Sequence, residues 1–260
     1  MFDALYISAT GLRAQQTHVD TIANNLANVD TPGFKKSRVG FADLMVREAA
    51  RPAAVQGADA AQEIRSGAGV GIARLARLFE VGDLKKTGSA FDLAIQGEGF
   101  LEVTMPDGSS AYTRGGSLKI NPDGLLATGD GHPLRPGLAV PEHAEHLTIG
   151  ADGRVQARLA GQSTPVELGQ LDLVRFNSPA GLLALGGNLY RSTPESGEAL
   201  VARPAEDGMG SLAQGLLEGS NVKLSEEVVQ LMVAQRAYEA NVKVMQASDE
   251  MLGMINALRK

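Results

Sequence analysis

The stretch TIANNLANVDTPGFKK (residues 21–36) contains the end of an N-terminal helix and a sharp turn. Apolar residues keep helical spacing as far as Val29. Thr31 precedes Pro32, and a proline disfavours the α conformation in the residue before it. The letters TPGF then predict a type II turn, with Pro at the second position and Gly at the third. The sequence therefore predicts a helix over residues 1–31.

Three asparagines in this helix, Asn24, Asn25 and Asn28, need an explanation because Asn is a mediocre helix former. Either these amides are solvated, or they recognise a partner. On a heptad frame, Asn24 and Asn28 fall opposite the apolar seam, together with Thr31. Only four of the first 31 residues are charged. This pattern predicts a helix that packs on both sides, as it would in an assembly.

Both ends of the chain carry apolar residues at strict seven-residue intervals, which is typical of a narrow helix–helix seam. The N-terminal set is Leu5, Leu12, Val19 and Leu26, with Ile22 between the last two; the C-terminal set is Leu224, Leu231, Tyr238, Met245 and Leu252, flanked by Val228 and Val242. These seams predict two terminal helices that pair in a coiled-coil-like arrangement. An ordinary intramolecular core and a contact between subunits are both open at this point.

The middle of the chain alternates with a period of two, as in Leu101, Val103 and Met105. Asp-Gly turns punctuate these runs, at Asp107-Gly108 for example. This pattern predicts an antiparallel β domain built like a sandwich or barrel. The predicted fold class is α+β, with an all-β domain inserted between two long helices.

The predicted domain organisation has five parts in chain order. They are an N-terminal helix (1–31), an extended connector with a possible β-hairpin (32–87), an antiparallel β domain (88–190), a return connector (191–219) and a C-terminal helix (220–260).

Composition excludes several classes of protein. A net charge of −6 without a basic cluster argues against a nucleic-acid binder. There is no apolar run near 18 residues and no signal-peptide pattern at the N-terminus, so we expect neither a membrane span nor a cleaved leader. Cysteine is absent, which excludes disulfides, thiolate catalysis and cysteine-ligated zinc.

Candidate catalytic and ligand-binding motifs are weak. The segment PEHAEH places His143 and His146 three residues apart, with His132 as a possible third ligand, but it lacks the HExxH spacing of a helical zinc site. GAGVG at 67–71 is not a GxGxxG fingerprint. We therefore expect no catalytic residue, no cofactor and no metal.

Two terminal motifs point to a known family. The letters ANNLAN (23–28), followed by Thr31, Gly33 and Phe34, resemble the N-terminal signature of bacterial flagellar rod and hook proteins. SNVKLSEEVVQLMVAQRAYEANVKV (220–244) is similar to the signature at the family's other end. Within the family, the chain length and the letters GLRAQQ are most similar to the distal rod subunits.

The resemblance implies a structural subunit that polymerises helically into a hollow, rigid drive shaft and transmits torque from motor to hook. The terminal helices would form an inner tube, with the β domain outside it. Implied partners are copies of the chain, proximal rod and hook proteins, bushing-ring proteins of the peptidoglycan and outer membrane, and the flagellar type III export apparatus, in a rod that crosses the periplasm. The implied assembly interface consists of Leu5, Leu12, Val19, Ile22, Asn24, Asn25, Leu26, Asn28, Thr31, Gly33, Phe34, Leu224, Val228, Leu231, Gln235, Tyr238, Val242, Met245 and Leu252.

Two alternatives stand beside this interpretation. One is a proximal rod or hook-type subunit of the same family. The other, from a different class, is a β-domain binding module or metal enzyme with helical oligomerisation arms, which would need a concave polar pocket or a bound metal at His143 and His146.

Overall fold

The computed structural model describes residues 2–47, 65–161 and 164–258, and the chain divides into two compact units. The helical unit contains the described residues of 1–26, 37–76 and 224–260. The β unit contains 27–36 and the described residues of 77–223. The predicted α+β class, with helices at the chain ends and antiparallel sheets in the middle, is confirmed.

The helical unit contains the two long helices and one two-stranded sheet. Its elements are α1 (Phe2–Ala27), β1 (Ser37–Arg47), β2 (Arg65–Arg77, whose last residue is assigned to the β unit) and α2 (Leu224–Leu258). No helix in the described part of the chain has the length and apolar character needed to cross a membrane.

The two helices pack antiparallel within their unit. Asn25 Nδ2 donates a hydrogen bond to Glu227 Oε2 at 3.2 Å. A Cβ built on Gly11 would lie 3.1 Å from Asn241 Nδ2. Asn25 follows Gly11 by 14 residues in α1 (25 − 11), whereas its partner Glu227 precedes Asn241 by 14 residues in α2 (241 − 227). The two helices are therefore antiparallel.

Helix α1 ends at Ala27, four residues before the predicted end, because the next residues form hydrogen-bonded turns. The Thr31 amide donates to the Asn28 carbonyl at 3.2 Å, and the Phe34 amide donates to the Thr31 carbonyl at the same distance. Gly33 has a φ of 71°, as the third position of a type II turn requires. The turn predicted from TPGF is confirmed.

The β unit consists of short strands joined by turns. In chain order they are β3 (Leu84–Lys86), β4 (Leu93–Gln96), β5 (Leu101–Thr104), β6 (Ser110–Thr113), β7 (Leu118–Ile120), β8 (Leu126–Thr128), β9 (Ala144–Ile149), β10 (Arg154–Leu159), β11 (Val166–Gln170), β12 (Leu173–Arg175), β13 (Leu183–Gly186), β14 (Leu189–Arg191), β15 (Leu200–Ala202), β16 (Ser211–Gln214) and β17 (Leu216–Glu218), with a short 3₁₀ helix at Pro179–Gly181.

These strands form small sheets rather than the two large sheets of a sandwich. One sheet has the order β13-β14-β6-β5 and another the order β11-β10-β9. The remaining strands pair as β12 with β15, β16 with β4, β17 with β3, and β7 with β8. These pairings are antiparallel. The strands are too short to continue into one large sheet because turns interrupt them every few residues.

Two hydrophobic clusters fill the β unit. The larger consists mainly of Leu, Ile, Val and Ala side chains from most of the sheets. The smaller is aromatic and contains Phe100, Tyr112, Phe176 and Tyr190. Its rings meet edge to face, with Tyr112 and Phe176 centroids 4.8 Å apart, a geometry that aromatic pairs prefer.

The possible β-hairpin predicted in the first connector is present as the β1-β2 pair, whereas the return connector contains more strands than the sequence predicted. The return connector, 191–219, contains the strands β15, β16 and β17, of which β16 and β17 pair with β4 and β3, far earlier in the chain. The first connector, 32–87, supplies the β1-β2 sheet to the helical unit, while its residues 77–87 belong to the β unit. Ladder hydrogen bonds join backbone groups and do not require alternating apolar side chains, so these strands lack the sequence signal that marks the central ones. Residues 48–64 of this connector lie outside the described residues.

Candidate assembly site

The segment TPGFKK (residues 31–36) lies in the β unit and connects α1 to β1. The Gly33 amide donates to the Glu218 carbonyl at 2.8 Å. A Cβ on Gly33 would lie 3.0 Å from the Cα of Gly115, and the positive φ disfavours any side chain. Glycine is therefore required here by both backbone conformation and space.

Phe34 and Tyr190 contact one cation, the guanidinium of Arg77. It lies 5.5 Å from the Phe34 ring centroid and 5.6 Å from that of Tyr190. Arg77 Nη1 also donates to the Lys35 carbonyl at 3.1 Å. Cation–π contacts of this kind are stronger where the groups are removed from water, and both rings are buried.

Lys35, Arg114 and Glu218 form a buried ion triad. Glu218 Oε1 accepts a hydrogen bond from Lys35 Nζ at 2.6 Å, and Oε2 accepts one from Arg114 Nε at 2.8 Å. The side chains of Lys35 and Glu218 are 0% exposed, and that of Arg114 is 2% exposed. The Gly82 amide also donates to Oε1, at 2.9 Å. Arg114 donates further to the carbonyls of Ile95, Gly97 and Gly99, and Lys35 to that of Glu80.

The triad holds two cations against one carboxylate. Burial lowers the pKa of Lys35 below its ordinary value of 10.5, the Glu218 carboxylate opposes this shift, and the Arg114 guanidinium acts with burial. Burial is the largest of these effects, so the pKa of Lys35 is lowered in spite of its ion pair with Glu218. Sequence reasoning missed this triad, since three isolated charges from distant parts of the chain leave no local pattern.

Of Asn24, Asn25 and Asn28, Asn25 is the buried one, at 2% exposure, and Asn28 lies in the turn that follows α1. Its Oδ1 accepts from the Ser37 amide and its Nδ2 donates to the Ser37 carbonyl, each at 2.9 Å. Its bond to Glu227 adds α2, so one amide joins α1, β1 and α2. Asn24 is exposed, and Asn28 Oδ1 accepts a hydrogen bond from Thr31 Oγ1 at 3.1 Å.

The buried positions of the two helices are mostly small or polar rather than leucine-rich. Leu5, Leu12, Val19, Leu26, Leu231, Val242, Met245 and Leu252 are half-buried, and Leu224, Val228, Gln235 and Tyr238 are exposed. The buried positions are Ser8, Gly11, Ala14, Thr21, Ile22 and Asn25 in α1, and Glu227, Ala234 and Ser248 in α2. Small residues allow helices to approach closely, and an apolar repeat cannot reveal them.

Most of the exposed large apolar side chains in the described part of the chain belong to the helical unit. The exposed apolar side chains of α2 lie at heptad positions outside the row that faces α1, which consists of Glu227, Ala234 and Asn241. They include Val229, Met232, Val233, Val244, Met251 and Met254, of which Val233 is 63% exposed. Many large apolar side chains exposed on one element are typical of an interaction surface. The surface of α2 is therefore suited to contacts with further apolar partners.

The histidine segment has the structure of a surface turn. His143 precedes β9, where its carbonyl accepts from the Ala160 amide at 3.0 Å, and His146 lies in β9 opposite Arg158. Both side chains are exposed. Among the described residues, no three potential ligands cluster around a common point where a metal could bind.

Comparison with known proteins connects both units to one family. The family described as "Flagella basal body rod protein" matches residues 5–35, "Flagellar hook protein FlgE/F/G D1 domain" matches 94–157, and "Flagellar basal body rod FlgEFG protein C-terminal" matches 213–258. A flagellar basal-body rod protein FlgG of Borreliella burgdorferi is 43% identical over 264 residues, covering 100% of both chains. The chain belongs to the FlgG family of flagellar basal-body rod proteins. Other members of this rod-protein family are the FlgG proteins of Buchnera aphidicola subsp. Schizaphis graminum, 41% identical over 99% of this chain and 100% of its own, and of Caulobacter vibrioides, 40% identical over 98% and 99%.

Proposed function

We propose that the chain is a structural subunit of the flagellar distal rod, and that it polymerises helically through its helical unit into a rigid, hollow drive shaft. The observation that carries this proposal is the apolar surface of α2 outside its contact with α1. Burying one Val or Leu side chain contributes about 1.5–3 kcal/mol, and a polymer repeats that contribution at every subunit. An interface whose rotation does not close on itself produces a filament.

In this proposal, α1 and α2 pair in a coiled-coil-like manner and form the wall of an inner tube. The predicted interface residues that are half-buried or exposed, from Leu5 to Leu252, contact neighbouring copies. Asn24 and Asn28 bond to helices of those copies and help to fix their register, as single polar residues do at helix interfaces.

The proposed partners are copies of the chain, proximal rod and hook proteins, the bushing rings and the type III export apparatus. The proposed location is the rod across the periplasm. The function is mechanical, so no catalysis is required. Membership of the rod-protein family supports each of these assignments without specifying the contacts.

A single exposed residue tests the polymer interface. Val233→Glu places a charge on the apolar surface of α2 without disturbing the α1 contact, because the side chain is exposed in the single chain. We expect the variant to fold normally but to lose polymerisation, since an unpaired charge in an apolar interface costs several kcal/mol. Sedimentation of purified protein and electron microscopy of basal bodies are the measurements.

Gln246→Glu is the matched control, because it adds the same charge at an exposed polar position on the same helix. It should polymerise like the unmodified chain. Normal rods built from the Val233→Glu variant would contradict the proposal.

A further inference from the structure

We propose that Asp207 and Gly208 form a modification site, at which the aspartate converts to isoaspartate in the folded chain. In this reaction the peptide nitrogen of the glycine attacks the aspartate side chain, and the main chain is rerouted through the side-chain carboxyl carbon. The site lies in the β unit, in the loop between β15 and β16, and it does not depend on the proposed polymerisation.

The sequence offers five candidate sites for this reaction, because it contains five Asp-Gly pairs. Glycine has no Cβ, so it leaves the peptide nitrogen of each pair open to a close approach. The pairs begin at Asp107, Asp123, Asp130, Asp152 and Asp207. Since the residue after each aspartate is the same, the sequence predicts similar reactivity at all five. A large difference between them in the folded chain would come from the structure.

The attacking nitrogen is held by a hydrogen bond in every pair except the last. In each of the other four pairs, the glycine amide donates to the carbonyl three residues earlier, at 2.8 to 3.0 Å; these amides belong to Gly108, Gly124, Gly131 and Gly153. Within the described residues, the Gly208 amide donates no hydrogen bond. A bonded amide must first leave its acceptor, at a cost comparable to one ordinary hydrogen bond. Gly208 does not bear that cost.

The carboxylate of Asp207 is equally unrestrained. It is exposed, and among the described residues no hydrogen bond or ion pair holds it. By contrast, the Asp107 carboxylate accepts from the Ser109 amide at 2.9 Å, and that of Asp152 accepts from the Arg154 amide at 3.2 Å. The Asp207 side chain can therefore rotate toward the neighbouring nitrogen without losing a partner.

The backbone of Asp207 favours the product of the reaction. Its φ of 49° lies in the left-handed region, where the Cβ of an L-residue crowds the following carbonyl oxygen. Aspartate tolerates this conformation but is not relaxed by it. In isoaspartate the Cβ becomes part of the main chain, so the crowding is absent. Strain in the folded chain thus favours the isomer over a return to aspartate.

A cation lies beside the reacting peptide. A Cβ built on Gly208 would be 3.3 Å from Arg175 Nη1, which places the guanidinium next to the glycine. Attack of the nitrogen on the carboxyl group develops negative charge on oxygen, and a fixed positive charge nearby stabilises such a state. Arg175 lies in β12, so its position is set by a strand rather than by the loop itself.

The reaction requires no reagent other than water. A bond forms between the Gly208 nitrogen and Asp207 Cγ, and the N–H proton leaves with the carboxyl hydroxyl as a water molecule, which closes a succinimide ring. Water then adds to one of the two ring carbonyls. Addition at Cγ restores aspartate, whereas addition at the main-chain carbonyl carbon breaks its bond to nitrogen and leaves isoaspartate with a free α-carboxylate. The atoms balance, and nothing is oxidised or reduced.

The modified chain should stay folded, because the loop is anchored on its far side. Isomerisation adds one carbon to the main chain at exposed residues, whereas Met209 is buried in the larger hydrophobic cluster. The Gly210 amide donates to the Glu98 carbonyl at 2.7 Å, and β16 pairs with β4 beyond it. We therefore expect the isomer to accumulate in intact protein.

Peptide mapping by mass spectrometry on the purified full chain, incubated at neutral pH, tests the site. Isoaspartate is recognised because a protease that cleaves before aspartate does not cleave before the isomer. We expect isoaspartate to form at Asp207 at least about fivefold faster than at any other Asp-Gly pair, the factor that one ordinary hydrogen bond supplies. In concentrated urea, which unfolds the chain, the five rates should converge.

Asp207→Glu keeps the charge but lengthens the side chain, so that attack would have to close a larger ring. It should abolish the isomer in this loop and leave the rates at the other four pairs unchanged. Asp107→Glu is the matched control, at an exposed Asp-Gly pair whose amide is bonded, and it should leave the rate at Asp207 unchanged.

Two results would overturn the proposal. One is an equal or faster rate at another Asp-Gly pair of the folded chain. The other is an advantage of Asp207 that persists undiminished in urea, because local sequence rather than the fold would then select the site.

Discussion

Glu218 binds three residues that are distant from it in sequence, two through its side chain and one through its backbone. Its carboxylate pairs with Lys35 and Arg114, and its carbonyl accepts the Gly33 amide. The two cations depend on this one anion, while each cation has carbonyl acceptors of its own. Loss of the anion therefore has a different consequence from loss of either cation.

Glu218→Gln should be strongly destabilising because it leaves two buried cations without a counter-charge. We expect the free energy of unfolding of the β unit to fall by about 3–5 kcal/mol, the usual cost of breaking a buried ion pair from one side. Lys35→Met should cost clearly less, because the Arg114–Glu218 pair remains neutral. Denaturant unfolding followed by near-ultraviolet circular dichroism of Tyr112 and Tyr190 measures both. Equal losses in the two variants would contradict this ranking.

At the scale of elements, the small contact face of α1 and α2 encloses partly buried polar groups. His18 of α1 meets the Phe41 ring of β1 edge to face, with centroids 5.5 Å apart. The buried Glu227 carboxylate of α2 interacts electrostatically with His18, and Asn25 donates to that carboxylate. The helices and β1 are thus joined around a titratable group.

The stability of the helical unit should depend on pH through His18. Burial lowers the pKa of His18 below its ordinary value of 6.5, and the Glu227 carboxylate opposes this shift. Between the two pKa values, the folded state binds fewer protons than the unfolded state, so stability rises with pH. The stability that the neutral His18 contributes is complete above pH 6.5 and is lost as the pH falls through the lowered pKa of the folded state. We expect His18→Gln to flatten the dependence of thermal unfolding on pH between about 5 and 7, measured by far-ultraviolet circular dichroism. An unchanged pH slope in the variant would show that other groups cause it.

At the scale of the whole molecule, the two units differ in how many of their large apolar side chains are exposed. The β unit buries its apolar residues in two clusters. The helical unit leaves side chains such as Tyr6, Met232 and Val233 exposed. The β unit also exposes some large apolar side chains, Val201 at 58% for example, but more of them belong to the helical unit, which should gain more stability from further contacts.

Polymerisation should therefore respond to temperature more than to salt. Hydrophobic burial weakens on cooling, whereas surface ion pairs weaken as salt screens them. We expect the concentration needed for polymerisation to rise on cooling and to change little between low and moderate salt. Sedimentation over a temperature and salt series measures this. A steep rise with salt alone would indicate an interface held by charges.

Periodicity predicted the parts of the fold that local pattern controls. The seven-residue repeats indicated the terminal helices, the period of two indicated strands such as β5 and β10, and TPGF indicated its turn. The buried face of the helices was predicted less well: the repeats marked mostly half-buried or exposed residues, because buried positions such as Gly11, Ala234 and Ser248 carry little apolar signal. Strands β15 to β17 were missed for a related reason, since backbone pairing leaves little trace in side-chain pattern.

The amino-acid sequence by itself determined the order of helix, strands and helix, the turn at Pro32-Gly33 and the resemblance to rod and hook proteins. Only the tertiary structure decided which asparagine is buried, which face of each helix is covered and that Lys35, Arg114 and Glu218 share one site. The physical reason is sequence separation. Local periodicity reports the conformation of neighbouring residues, whereas a buried hydrogen bond or ion pair depends on groups that meet only after distant segments have packed.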